Sequence, residues 1–262
     1  MSVLTGDLGA QQRESRPVSG FTRVVLDGIG RVDLKQGSED SLTVEAPERL
    51  MQWIETNVHN GTLHLNFRRG LRLHDVGRLH IVYEVCLRGV DVLAINGAGS
   101  IATGPLRTGD FSLHIDGSGR IEIPDLDADS LHVEIDGAGK IELGRASAAT
   151  HRLEIDGAGR VETREATGES YRVNLDGTGK IAAAGRVSEV EVRLNGTGKL
   201  ELRDLQSQRA AMRIDGTGKI TTWVEESLDV HINGFGKVQY RGEPSLSVHT
   251  GGFGRVTKID EN

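Results

Sequence analysis

The chain has 262 residues, with 35 glycines but only 5 prolines, one cysteine and 4% aromatic residues, and its formal net charge is −7. The acidic balance argues against non-specific binding to nucleic acid, which needs a basic surface. One cysteine excludes an internal disulfide. Few rings and many glycines favour a thin aliphatic core with many tight turns.

The first third of the chain shows no fixed period. Residues 1–19 are polar and aperiodic, and we expect a flexible segment there. They lack the basic and apolar stretches of a signal peptide, and no apolar run in the chain is long enough to span a bilayer. Residues 20–93 contain clear strands and, at 47–58, apolar residues at helical spacing after Pro47. This spacing predicts a short helix that covers the open end of the first coil.

From residue 94 to residue 256 one phrase recurs: an apolar residue, Asp or Asn, Gly-x-Gly, a basic residue in nearly every copy, and an apolar residue. An isolated early copy lies at 26–32, and in the regular part the first glycines fall every 18–20 residues. Alternating apolar and polar residues flank each copy, as is typical of strands. We predict structural turns at the pairs Gly97 and Gly99, Gly117 and Gly119, Gly137 and Gly139, Gly157 and Gly159, Gly177 and Gly179, Gly196 and Gly198, Gly216 and Gly218, and Gly234 and Gly236.

So short a repeat cannot bury its apolar face alone, so neighbouring repeats must stack. Identical residues at identical phase favour a parallel coil, with successive apolar residues about 4.8 Å apart, over an array of antiparallel hairpins. No six-residue subperiod of left-handed helices is present. We therefore predict an all-β, single-stranded, right-handed parallel β-helix with about 20 residues per rung. It would form one domain over 20–262, irregular with a capping helix at 20–93 and regular at 94–256.

The glycine pairs have a backbone explanation. A sharp corner needs a positive φ or a close approach of two chain segments, and glycine tolerates both. The Asp or Asn before each pair is expected to bond its side chain to the following amides.

Several segments together resemble a known family of bacterial proteins. These are 16–24 (RPVSGFTRV), 37–45 (GSEDSLTVE), 60–65 (NGTLHL) and the repeated Asp-Gly-x-Gly-Lys-Ile phrase. The chain is similar over residues 15–256 to the auto-transporter adhesin, head GIN domain family. The resemblance implies a pectin-lyase-like right-handed β-helix without known catalytic residues.

The resemblance also implies a location and a role. Family members are usually exported to the cell envelope, and the segment that resembles 16–21 usually follows a leader. We therefore expect a protein of the periplasm, outer membrane or cell surface whose leader is absent from this sequence. A cytoplasmic protein is the alternative. Adhesion is the role proposed for the family.

An acidic ladder is the strongest candidate for chemistry. Asp116, Asp136, Asp156 and Asp176 share one position of the repeat, and carboxylates about 4.8 Å apart repel each other. A row of Ca²⁺ ions could neutralise them. The alternative, which we favour, is that a base four residues further on balances each acid, as Arg120 does for Asp116. We therefore expect structural turns without metal and no cofactor.

Cleavage of polysaccharides is the enzymatic alternative, because it needs acids that converge in a groove in unlike environments. Here each acid repeats with its coil, so we predict no catalytic residues. The nine histidines are scattered, and His114, His231 and His249, at one strand position of different rungs, make a poor metal set.

The C-terminal rungs differ from the others because they carry Phe235, Tyr240 and Phe253. We treat these three residues as a candidate interface for a homo-oligomer. The sequence thus predicts a non-enzymatic envelope protein, an adhesin or a structural and assembly module, with a polysaccharide or another cell-surface molecule as partner. The alternatives are a β-helix that binds or degrades polysaccharide, and a scaffold that assembles end to end.

Overall fold

The computed structural model of the protein describes residues 2–5, 8–74 and 79–259. The chain is all-β, with 74% of residues in strands and 2% in a helix. The N-terminal elements are β1 Ser2–Thr5, β2 Gln11–Arg16, β3 Arg23–Leu26, β4 Ile29–Gln36, β5 Ser41–Pro47, α1 Glu48–Met51, β6 Ile54–His59, β7 Thr62–Phe67, β8 Leu71–His74 and β9 Val82–Leu87. The others are β10 Val92–Ile95, β11 Ala98–Thr103, β12 Leu106–Arg107, β13 Asp110–Ile115, β14 Ser118–Asp127, β15 Ser130–Ile135, β16 Ala138–Ser147, β17 Thr150–Ile155, β18 Ala158–Leu175, β19 Thr178–Leu194, β20 Thr197–Ile214, β21 Thr217–Ile232, β22 Phe235–Arg241, β23 Ser245–Thr250 and β24 Phe253–Lys258.

The repeats stack as a parallel solenoid of about 20 residues per turn. Strand β13 pairs in parallel with β15, and β15 pairs with β17, so that Ile115, Ile135 and Ile155 lie directly above one another. This register confirms the coil and excludes the hairpin array. Its right-handed winding stays a prediction. We call one turn a rung, the sheet that precedes each Gly-x-Gly corner face A, and the sheet that follows it face B.

Columns of identical apolar side chains fill the interior of the solenoid. Ile95, Ile115, Ile135 and Ile155 of face A are fully buried, as are Ile101, Ile121 and Ile141 of face B. Each column repeats the register of the strand pairing, because in-register parallel strands place like residues next to each other. Alternation therefore sends the apolar residues inward and the charged residues outward along both faces.

The early copy at 26–32 is a full rung, not an isolated one. Leu26 pairs in register with Ile95, Gly30 with Gly99 and Val32 with Ile101, although residues 37–91 separate the two copies along the chain. The intervening segment folds back beneath the first rung. There β7 pairs in parallel with β3, and β9 with β4. The repeat is thus continuous in space where it is interrupted in sequence.

The predicted capping helix is present but shorter than expected. Helix α1 ends at Met51, and the rest of the predicted 47–58 segment contains β6, which is antiparallel to β7. The physical reason is the turn at Asn60 and Gly61, whose φ angles are both positive. Two such residues form a tight hairpin turn, which pairs the preceding segment with β7.

The N-terminal segment, expected to be flexible, contains a strand. Residues 11–16 form β2, which is antiparallel to β5, with Arg16 opposite Leu42. The side chains of β2 are almost all exposed, which explains why the segment shows no apolar period. In this segment, hydrogen bonding between the backbones of β2 and β5, and not burial of apolar side chains, forms the strand. Strand β1 pairs in parallel with β8.

Candidate functional site

In each predicted pair the first glycine lies in the bend between two strands and the second is the second residue of the strand that follows, and close approach, not a positive φ, requires both. None of the sixteen has a positive φ, whereas Gly30 of the first rung does. A Cβ at Gly137 would overlap the carbonyl oxygens of Gly117 and Asp116 in the rung below. At Gly139 it would come within 2.8 Å of Ile115 Cδ1. The first glycine therefore lies against backbone and the second against a side chain.

The predicted hydrogen bonds from the corner aspartates to the following amides are replaced by others. The amides of Asp136 and Gly137 both donate to the Ile115 carbonyl oxygen of the rung below, at 3.1 and 3.0 Å. The same pattern recurs at Asp116, Asp156 and Asp176. Because the backbone of the preceding rung takes up these amides, the corner carboxylates are left to face outward.

The acidic ladder is interrupted by asparagines that act as hydrogen-bond donors. Asn195 Nδ2 donates to Asp176 Oδ1 at 2.5 Å, and Asn233 Nδ2 donates to Asp215 Oδ1 at 2.7 Å. The hydrogen bond from Asn233, with one from Arg213, lowers the pKa of Asp215. Each asparagine thus replaces a repulsive pair with an attractive one.

Between Asn96 and Asn195 four aspartates follow one another, and the last of them, Asp176, accepts the hydrogen bond from Asn195. At Asp136, partial desolvation and then the charges of Glu134, Asp116 and Asp156 raise the pKa of the carboxyl group. Among the residues that the structure describes, the aspartates at 116, 136, 156 and 176 do not bring three ligand atoms within 4.8 Å of one another. This ladder therefore does not form a close set of ligands for Ca²⁺.

The bases that were expected to balance the ladder pair with a different row of acids. Lys140 Nζ lies 2.5 Å from Glu142 Oε1, and Lys180 and Lys199 both lie 2.5 Å from the carboxylate of Glu201. Hydrogen bonds from these two lysines lower the pKa of Glu201 to about 2. The predicted pairing across the corner is wrong because base and glutamate both point outward from face B, either two residues apart on one strand or on neighbouring rungs.

Face A carries a groove near the C-terminal end, with a volume of about 450 Å³. The outward column that contains His132, Arg152, Arg172 and Glu191 continues with Ala211 and then Asp229. Ala211 is the smallest side chain at this position in these rungs, so the surface dips there. The rim and floor are formed largely by Ser170, Arg172, Glu189, Glu191, Arg209, Ser227, Asp229 and Ser245.

This groove was not predicted from the sequence, because no unusual reactive residue marks it. The signal in the sequence was Ala211, a small residue where the neighbouring repeats have long or charged side chains. It becomes visible only when the repeats are aligned by their outward positions. Two carboxylates on the rim of the groove form ion pairs with arginines. Arg209 Nη2 lies 2.7 Å from Glu189, and Arg193 Nη2 lies 2.8 Å from Glu191.

The structure brings together two of the three candidate interface residues. Phe235 and Phe253 occupy the middle position of successive corners, and their rings stack with centroids 5.3 Å apart. They are 62% and 81% exposed. Tyr240 instead packs partly buried against the core, because it continues the interior column below Thr222. In the same last rung Leu246 and Val248, which occupy interior positions of face A, are 45% and 40% exposed.

Of the histidines that the structure describes, one is buried in the core and four form two ring pairs on the outer surface. His151 is fully buried beside Tyr171, and its Nε2 lies 3.1 Å from the Thr167 carbonyl oxygen. On the outer surface of face A, His231 stacks on His249 with centroids 4.6 Å apart, next to Asp229. His114, at the same strand position, bonds instead to Glu134 at 2.9 Å.

Comparison with known proteins assigns the chain to a family. The model of the family described as "Putative auto-transporter adhesin, head GIN domain" matches residues 20–183 and 144–244. The chain belongs to this family. No curated protein matches the sequence. The chain is thus a head GIN domain protein, as the amino-terminal block and the repeats indicated.

Solved structures of other bacterial proteins share this fold. A "putative adhesin" from Parabacteroides distasonis is 14% identical, with a TM-score of 0.74 over 98% of this chain and 100% of that chain. A "putative adhesin" from Parabacteroides merdae is 15% identical, with a TM-score of 0.69 over 99% and 100%. A "putative lipid binding protein" from Parabacteroides distasonis is 20% identical, with a TM-score of 0.71 over 99% and 100%. These likenesses show that the head GIN domain fold extends over the whole chain.

One further property of this head GIN domain concerns membranes. Over the described residues, no helix has the length and apolar character that a bilayer crossing requires.

Proposed function

We propose that this protein is a non-enzymatic adhesin of the bacterial cell surface and that the groove over Ala211 is its ligand-binding surface. The groove is the observation that carries the proposal, because it interrupts an otherwise regular face A. Membership of the adhesin family and the likeness to solved adhesins support the role. A rigid solenoid suits adhesion because it presents a ligand site on a preorganised sheet.

The groove combines polar groups with apolar lining from Val190, Ala210, Leu228 and Leu246, which suits an extended ligand such as a glycan, whose sugar rings carry both hydroxyls and apolar C–H faces. The hydroxyls of Ser170, Ser227 and Ser245 line it together with Arg172 and Glu189. Hydroxyls, guanidinium groups and carboxylates match the donors and acceptors of a sugar chain. The groove crosses several rungs, so its length fits consecutive sugar units better than one small molecule.

The arrangement of the acids favours binding over cleavage. Glycoside hydrolysis needs two carboxyl groups in different environments on either side of one bond. Glu189 and Glu191 occupy equivalent rim positions two residues apart, and each already forms an ion pair with an arginine. We expect no new reducing ends or unsaturated products when the protein is incubated with acidic and neutral polysaccharides.

The experiment is to test binding to immobilised acidic and neutral polysaccharides with a variant that fills the groove. Ala211→Tyr should weaken binding at least tenfold without lowering the melting temperature, because the new side chain points outward. Ser112→Tyr is the matched control: it lies in the same outward column, far from the groove, and should bind like the wild type. The proposal would be overturned if the wild type bound none of the immobilised polysaccharides, or if Ala211→Tyr and wild type bound equally.

The proposed location is the outside of the cell. Adhesion requires the domain to reach a ligand beyond the envelope, and the family is one of auto-transporter adhesins. Antibody labelling of intact cells of the source bacterium is expected to detect the protein without permeabilisation. Labelling only after lysis would place it inside and contradict the proposal.

End-to-end assembly is a second candidate function, and the exposed last rung favours it. Phe235, Phe253, Leu246 and Val248 place apolar surface at one end of the solenoid, and such surface commonly marks a contact site. Light scattering should report a dimer or larger species that Phe253→Asp converts to monomer. Thr197→Asp, at the same corner position two rungs before Phe235, should leave the mass unchanged. A wild-type monomer at all concentrations would remove this candidate.

A further inference from the structure

Asp229, His231 and His249 form a compact set of ligand atoms on the outer surface of the last two rungs. His231 and His249 are directly paired in the parallel register of β21 and β23, and Asp229 lies two residues before His231 on the same outward side. One ligand atom from each residue lies within 4.8 Å of the other two. Among the residues that the structure describes, no other group of three histidine, cysteine or acidic side chains meets this distance.

One oxygen of this set has no partner. Asp229 Oδ2 lies 3.2 Å from His231 Nε2, but Asp229 Oδ1 is buried as an atom and accepts no hydrogen bond from the described residues. The Asp229 side chain as a whole is 49% exposed, but this one oxygen is shielded from solvent, and a bound cation would provide it with a partner. The orphaned oxygen is independent of the histidine geometry.

The surroundings leave room and do not oppose a cation. The residues that flank Asp229 in its column are Ala211 and Ser247, both small. The nearest base in the histidine column is Arg213, and its guanidinium group is engaged by Asp215, with Nε 2.6 Å from Oδ2. A charge that is already paired repels an incoming ion less than a free one.

We propose that Asp229, His231 and His249 bind a first-row divalent transition metal ion, with Zn²⁺ as the representative. Two imidazole nitrogens and one carboxylate oxygen suit zinc, whereas Ca²⁺ takes oxygen ligands. Three protein ligands leave a coordination position for water or for a ligand oxygen. Asp229 also lines the groove, so that position opens next to it.

Binding requires a small movement of the imidazole rings. The rings are nearly parallel, at 6° and with centroids 4.6 Å apart. The ligand atoms lie within 4.8 Å of one another, whereas two nitrogens on one tetrahedral zinc with ~2.0 Å bonds are roughly 3.3 Å apart. Tilting the two rings toward each other closes the gap. His231 is 43% exposed and His249 is exposed, so neither ring is locked by packing.

The chain provides a matched comparison at its other end. His114, His132 and Glu134 also lie together on the outer surface of face A. However, His114 pairs in register with Glu134 and not with His132, and the two rings are 5.9 Å apart and tilted by 53°. The same residue types thus occur there in a diagonal arrangement that does not bring the three ligand atoms together.

The test is calorimetric titration of the full chain with ZnCl₂, alone and in variants. The wild type should bind one Zn²⁺ with a dissociation constant in the micromolar range. His249→Ala and Asp229→Asn should each weaken binding at least tenfold, while His114→Ala should bind like the wild type. Because the replaced side chains are on the surface, circular dichroism of the zinc-free variants should match the wild type.

A second readout uses stability. An ion that binds only the folded chain raises its melting temperature, so Zn²⁺ should raise it in the wild type and in His114→Ala but not in His249→Ala. Absence of saturable zinc binding, or equal affinity in wild type, His249→Ala and Asp229→Asn, would overturn the proposal. Neither measurement involves polysaccharide, so the metal site and the proposed adhesive function can fail separately.

Discussion

At the scale of single residues, the acidic ladder shows how a repeat manages a charge that every copy carries. Asn195 donates to Asp176 and Asn233 donates to Asp215, and in both cases one amide replaces one carboxylate of the column. The four aspartates from Asp116 to Asp176 have no asparagine among them, and there the pKa of Asp136 is raised. The run of four is therefore the place where the ladder opposes folding most.

Replacing Asp136 with asparagine should stabilise the protein at pH 7. Because its carboxyl pKa is higher in the folded state, the ionised group destabilises the fold at neutral pH, and this effect disappears as the pH falls through the carboxyl range. The gain in melting temperature should therefore be present at pH 7 and smaller at pH 4. Asp176→Asn is the control, since it removes the acceptor of Asn195, and it should give less gain.

His151 gives a second pH dependence with the opposite sign. Burial in the core lowers its pKa, so the unfolded chain binds a proton more readily than the folded one. Stability should therefore fall as the pH drops below the imidazole range of an unfolded chain, about 6.5. His151→Leu keeps an apolar side chain of similar size in the column between Leu131 and Tyr171.

The measurement is urea unfolding of His151→Leu and wild type between pH 7.5 and pH 5. The variant should lose less stability than the wild type over this interval. His249→Leu, on the exposed end of face A, is the control and should follow the wild type. Equal pH dependence of His151→Leu and wild type would contradict the account.

At the scale of elements, the corner decides the stacking. Corner amides bond to the rung below, and the first glycine of each pair lies against the backbone carbonyls of that rung. A β-carbon at this glycine would collide with those carbonyls and force two rungs apart. This is a packing requirement between repeats and cannot be seen within one repeat.

Gly137→Ala should therefore destabilise the protein strongly. Overpacking a core costs about 1–3 kcal/mol, and at Gly137 the obstacle is backbone, so we expect roughly 3 kcal/mol or more. Gly104→Ala, where nothing lies within 4 Å of the added Cβ, should change stability by less than about 0.5 kcal/mol. Urea unfolding followed by circular dichroism checks both, and equal effects at the two positions would disprove the role of the corner.

At the scale of the whole molecule, the two ends of the solenoid differ. At the N-terminal end β7 and β9 lie beneath the first rung, and β2 and β5 pair alongside β9. At the other end β23 has exposed side chains at every position, including Leu246 and Val248. In a solenoid each repeat is stabilised mainly by its neighbours, so a terminal rung with one neighbour is the least stable.

Hydrogen exchange should reveal this difference between the ends. Amides of 235–258 are expected to exchange faster than those of the central rungs at 133–194, because local opening of the last rung breaks contacts on one side only. Mass spectrometry of peptides from the exchanged protein measures the gradient. Self-association through the last rung would slow exchange at 235–258 as the concentration rises, which also tests the second candidate function.

The sequence by itself determined the solenoid, because a repeat of fixed phase that buries half of its residues can be satisfied only by stacking. It also located the bends, because the first glycine of each of the eight pairs lies in one, and it indicated the family. What it could not determine depends on contacts between distant positions. These include the return of residues 37–91 beneath the first rung and the strand at 54–59 in place of a helix.

Tertiary structure alone decided which outward residues meet. Lys140 pairs with Glu142 beside it and Lys180 with Glu201 of the next rung, not with the aspartates across the corner, because direction from the sheet matters more than distance along the chain. The groove over Ala211 and the set of Asp229, His231 and His249 arise in the same way. Stacking turns a spacing of 18–20 residues into contact, and so it joins side chains that the sequence scatters.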